Sequence, residues 1–96
     1  MAKYPKTEDE RRISYEALRD VVQGIFEVAG MSPDDAWLIA DTLAFADLRG
    51  IHSHGVLRVP EYVAKVTSEG VDPRGRPRVV ADNGAALRID GGNAMG

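Results

Sequence analysis

Apolar positions recur along this chain in three blocks at helical spacing and then in one block that alternates. Leu18, Val21, Val22, Ile25, Phe26 and Ala29 fall three and four residues apart, the period of one helix face. Ser14 precedes them as an N-cap, Glu16 lies in the first turn, and Gly30 follows as the stop. "MSPDD" restarts the pattern at once: Ser32 as N-cap, Pro33 at N1, and Asp34 and Asp35 at the positive end of the dipole. This second helix is predicted to run to about Leu48 or Arg49, with Gly50 as its stop. In the third block Val59, Val63 and Val66 share a face, with Tyr62 beside it. Pro60 is tolerated only within a first turn, so a helix is predicted from near Leu57 or Arg58 to Gly70.

After a turn-rich connection, "VDPRGRP", comes "RVVADNGAALRID". Two runs flank Asn83-Gly84, which predicts a β-hairpin with a two-residue type I′ turn. Ala85 and Ala86 make the alternation imperfect. The expected fold is therefore α+β in this stretch, two or three helices followed by a hairpin, as part of a larger α/β protein. Two features point to that larger whole. A lone hairpin is marginal without a third strand or a covering helix. The second helix is apolar on nearly every side, through Trp37, Leu38, Ile39, Leu43 and Phe45 among others, and a chain of 96 residues has little room to bury it all round. Residues 1–13 are charged and without period, and read as a mobile arm ahead of a unit over 14–96.

Composition narrows the function classes. A net charge of −3 argues against general affinity for nucleic acid or an anionic membrane. No cysteine is present, which removes disulfides, thiolate nucleophiles and thiolate zinc sites. The polar start "MAKYPKTEDERRIS" has no apolar signal core, and no apolar run approaches the ~20 residues of a membrane span. A cytoplasmic protein is the expectation.

Candidate chemistry concentrates in "RGIHSHGVLRVPEY", residues 49–62, which holds both histidines of the chain. His52 and His54 share a face only if the segment is extended, and a metal would need a third ligand. Asp47 is the one nearby candidate, so no metal site is expected. An imidazole working as acid and base near neutrality suits the residues better. Arg58 lies four residues past His54, and Tyr62 four past Arg58, so the last two stack on one helix face. A guanidinium offers a planar fork of donors that matches a carboxylate. Asp47 falls on an apolar stripe near the negative end of its helix and needs a partner: Arg49, Arg58 or a histidine. The plainer alternative is a polar connection in which Ser53 is a turn residue, Asp47 orders the next turn and His52 faces solvent.

"ADLRGIHSHGVLRVPEYV" resembles the signature near the N-terminus of the malate/L-lactate dehydrogenase family, the non-Rossmann NAD(P)-dependent oxidoreductases. That family also includes sulfolactate and ureidoglycolate dehydrogenases and cyclic imino acid reductases. The matching positions are Asp47, Gly50, Ser53, His54, Gly55, Arg58 and Tyr62, and the two capped helices and the closing "LRIDGGNAMG" are similar as well. The resemblance implies the N-terminal part of a catalytic domain over 14–96, with the nicotinamide-binding region outside it. It implies His54 and Ser53 at the reacting carbon and its oxygen, Arg58 on the substrate carboxylate, Tyr62 beside it, and Asp47 behind them. It further implies NAD or NADP as cofactor, a small carboxylate as substrate, and a homodimer. No cofactor-binding residue is assigned, because "DGGNAMG" lacks the G-x-G-x-x-G pattern.

A second reading belongs to a different class. Three helices and a hairpin are also the order of a winged-helix DNA-binding module, with Arg74, Arg76 and Arg78 at the wing. Against it, Glu61 and Glu69 offset Arg58 and Lys65 on the would-be recognition helix, and phosphate contacts need a basic excess.

Overall fold

The computed structural model describes residues 12–68 and 70–96. The arm expected over 1–13 lies almost wholly outside the described residues. Helix α1 spans Tyr15–Val28 and helix α2 spans Pro33–Leu48. Both caps form as the sequence predicts: Ser14 Oγ accepts from Ala17 N–H at 3.1 Å, and Ser32 Oγ accepts from Asp35 N–H at 3.3 Å. Gly30 and Gly50 end these helices at φ 119° and 78°, a region L-residues with a Cβ avoid.

The third helix begins at Val59, next to the expected start near Leu57 or Arg58, and ends at Thr67, short of the expected Gly70. Two 3₁₀ turns, His52–His54 and Val56–Arg58, carry the chain into α3 at Val59–Thr67. Pro60 sits in the first turn, where its missing N–H costs nothing.

The core lies where α1, α2 and α3 meet. Phe26 is fully buried, and Val22, Met31, Ala36, Ala40, Leu43 and Val66 close around it. Alanines at 36, 40 and 44 bring α2 close against α1. At the edge of this contact the Tyr15 hydroxyl donates to the Asp41 carboxylate, and the Arg19 guanidinium lies 5.5 Å from both the Tyr15 and Trp37 rings. The other sides of α2 stay open: Leu38 is 61% exposed and Leu48 65%.

Strands β1 (Arg78–Asp82) and β2 (Leu87–Asp90) pair antiparallel, with a bulge between Val79 and Ala81. Every residue of both strands is exposed. The hairpin forms as predicted, but its turn does not. The last pair is Asp82 with Leu87, so the loop holds four residues, 83–86, and of Asn83 and Gly84 only the glycine has positive φ. Side-chain bonding to the backbone decides this: Asp82 Oδ1 accepts from Gly84 N–H at 2.8 Å and Asn83 Oδ1 from Ala86 N–H at 2.8 Å.

Residues 71–77 and 91–95 cross closely. Asp72 N–H donates to Asn93 O at 2.7 Å, and a Cβ on Gly75 would stand 2.6 Å from Gly92 O. Arg74 Nε donates to Gly30 O at 2.8 Å and Arg76 pairs with Asp35 at 2.5 Å. This strap thereby ties back to the junction of α1 and α2.

Candidate functional site

The segment between α2 and α3 is organised from Asp47, in the last turn of α2. Its side chain is 16% exposed. Oδ2 accepts from Val56 N–H at 2.9 Å, and Oδ1 lies 2.9 Å from His52 Nδ1. Of the partners open to it, the structure selects His52 and a backbone amide, while Arg49 lies over the Phe45 ring at 5.7 Å. Gly55 makes room for this contact: a Cβ there would stand 2.1 Å from Asp47 Oδ1. Its φ of −97° is ordinary, so contact rather than backbone strain demands glycine.

Ser53 joins the next two candidates. Its Oγ lies 2.9 Å from His54 Nδ1, and its carbonyl accepts from Arg58 Nε at 2.8 Å. Imidazole and guanidinium are thus neighbours of one residue. With Nδ1 engaged by the serine hydroxyl, Nε2 is the other ring nitrogen of His54 and is not part of that bond. Arg58 Nη1 also donates to Glu61 Oε2 at 3.0 Å.

A cleft of about 670 Å³ opens beside the segment. His54 and Tyr62 line it, together with apolar groups including Met31, Leu43 and Met95. Arg58 and Ser53 do not line it, so the structure brings His54 and Tyr62 to the cleft and leaves Arg58 outside its lining, linked to His54 through Ser53. Two further lining residues, Asp35 and Arg76, escaped sequence reasoning. Asp35 read as a helix-dipole carboxylate and Arg76 as a wing residue of the DNA-binding alternative. No local signal marks them, because only the return of the strap onto α2 pairs them. The Arg76 guanidinium holds the Asp35 carboxyl below the usual carboxylate range. Among the described residues no group of three or more His, Asp or Glu is placed to hold a metal ion.

Residues 13–96 match the malate/L-lactate dehydrogenase family. The chain belongs to that family. It is 43% identical over 84 residues to a Delta(1)-pyrroline-2-carboxylate/Delta(1)-piperideine-2-carboxylate reductase of Pseudomonas syringae pv. tomato, which covers 86% of this chain and 24% of that protein. It is 34% identical over 85 residues to a malate dehydrogenase of Pyrococcus horikoshii, covering 88% and 24%. The solved malate dehydrogenase of Pyrococcus horikoshii superposes with a TM-score of 0.86 at 33% identity, over 96% of this chain and 26% of that one. The chain therefore spans about a quarter of the length of these relatives.

Against this family background the glycine-rich residues 91–96 can be tested as a dinucleotide site. Two of their amides are spent internally: Gly92 N–H donates to Asp90 Oδ1 at 2.9 Å and Ala94 N–H to Gly91 O at 3.1 Å. A Cβ on Gly92 would stand 2.7 Å from Arg76 O, so its glycine serves the crossing with the strap. A pyrophosphate needs amides that point at it, and these two are committed elsewhere. No helix among the described residues is long and apolar enough to cross a membrane.

Proposed function

We propose that this chain is the N-terminal portion of an NAD(P)-dependent oxidoreductase acting on a small 2-hydroxy or 2-oxo acid, such as malate or lactate, or a related imino acid. The observation that carries the reading is the double use of Ser53. One serine holds the imidazole of His54 through its hydroxyl and the guanidinium of Arg58 through its carbonyl, and His54 lines a cleft. A proton-handling group beside a carboxylate-binding group is what a 2-hydroxy acid requires.

In this reading His54 meets the substrate oxygen and gives or takes its proton. Ser53 fixes the orientation of the ring, Arg58 holds the carboxylate, and Tyr62 lines the cleft beside them. Asp47 sets the course of the connecting segment from behind. The apolar side chains of the cleft exclude water from the reacting carbon. The nicotinamide, NAD or NADP, supplies or accepts hydride when bound, and its site lies outside these residues. The homodimer and the cytoplasmic setting follow the same reading. The net charge of −3 and the pairing of both Arg58 and Lys65 with Glu61 leave the winged-helix alternative without its basic surface.

Kinetics of the family-length enzyme carrying this segment provide the test. His54→Ala is expected to lower kcat/KM by ~10²–10⁴-fold, the worth of positioned proton transfer. Arg58→Ala should raise KM for the carboxylate substrate in addition. Wild-type kinetics in both variants would show that the segment is only a connector. The 96-residue chain alone is expected not to oxidise NADH or NADPH with any 2-oxo acid, and measurable turnover would refute the assignment of the cofactor site to another region.

A further inference from the structure

Arg58 is not free to receive a carboxylate. A guanidinium offers two bidentate forks, one through Nε and one Nη, the other through both Nη atoms. Arg58 Nε is already committed to Ser53 O at 2.8 Å, which leaves the Nη end for a bidentate ligand. There Nη1 meets Glu61 Oε2 at 3.0 Å. The other oxygen of the same carboxylate, Oε1, lies 3.7 Å from Lys65 Nζ. Arg58 caps the start of α3, Glu61 and Lys65 follow on its successive turns, and each side chain is 42–53% exposed, so these side chains are free to exchange partners.

We propose that Glu61 is an internal competitor for the substrate carboxylate at Arg58, and that Lys65 takes the Glu61 carboxylate when a ligand displaces it. The proposal rests on the reading of Arg58 as the carboxylate-binding group. Two anions cannot share the Nη end of one guanidinium without a second cation, and Lys65 is placed to supply it. Glu61 thereby sets the affinity for anionic ligands while taking no part in the reaction. Exposed ion pairs are weak, so the effect is limited to a factor of about two to five. That is enough to move KM across a range of substrate concentration while leaving the chemical step alone.

The test titrates oxamate, a small monocarboxylate with an adjacent carbonyl, into the ¹⁵N-labelled 96-residue chain, following the Arg58 Nε–H resonance. Glu61→Gln is expected to tighten oxamate by about two- to five-fold. Lys65→Met should weaken it, because the displaced carboxylate then has nowhere to go, and should have no effect once Glu61→Gln is present. Glu27→Gln, the same charge change on α1, should leave affinity unaltered. Unchanged or weaker binding in Glu61→Gln overturns the proposal, as does an equal gain in Glu27→Gln. Arg58→Gln separates this from the parent reading. If it abolishes binding while Glu61→Gln does nothing, only the competitor role fails. If it binds oxamate like wild type, or if no variant binds at all, Arg58 is not the anion site and both fail.

Discussion

Substituting Gly55 by alanine probes how the His54 segment is held. The new Cβ would stand 2.1 Å from Asp47 Oδ1, 2.3 Å from its Cγ and 2.5 Å from Oδ2, so the whole carboxylate has to leave. It cannot do so and keep both its bonds to Val56 N–H and His52 Nδ1. A hydrogen bond to a charged group is worth about 1.5–3 kcal/mol, and leaving a shielded carboxylate and amide unsatisfied adds to that. We expect a loss of about 2–4 kcal/mol, a large share of the stability of a small domain. At roughly 4–8 °C per kcal/mol the melting temperature should fall by about 8–30 °C. Urea titration followed by circular dichroism measures the loss, and a double-mutant cycle with Asp47→Ala assigns it. With the carboxylate gone, Gly55→Ala should cost less, because the three atoms nearest the new methyl all belong to the Asp47 carboxylate. A change below ~0.5 kcal/mol in the wild-type background, or an equal cost in both backgrounds, would refute the reasoning.

Two further outcomes follow from the packing and the charges. Phe26 is fully buried at the meeting of the helices, so Phe26→Ala should destabilise by about 3–5 kcal/mol, read as a shift of the urea midpoint with unchanged slope. Asp35 is held below its ordinary value chiefly by the Arg76 guanidinium, against a smaller opposing effect of burial. Its contribution is therefore present above the usual carboxylate range and is lost as pH falls through the depressed value. Arg76→Gln should lower stability at neutral pH, flatten the acid limb and converge with wild type at low pH, and an identical acid limb would rule out the pairing as a source of stability.

Much of this protein was legible in residue order because the information is local. Ser14, Ser32, Pro33, Gly30 and Gly50 mark helix ends through bonds and dihedrals spanning at most a few residues, and those ends form where they are read. The hairpin is legible for the same reason, although competing side-chain bonds from Asp82 and Asn83 turned a two-residue loop into four. The start of α3 was legible to within a residue because Pro60 is tolerated only in a first turn.

What residue order could not decide is how distant groups meet. Nothing local distinguishes His52 from Arg49 or Arg58 as the partner of Asp47; the path of the two 3₁₀ turns selects it. Nor does spacing reveal that Arg76 crosses 41 positions to reach Asp35, or that Arg58 spends one donor on Ser53 and another on Glu61. Capping and turn signals act over one or two turns of backbone, whereas a cleft is assembled from segments whose separation along the chain carries no trace of their separation in space.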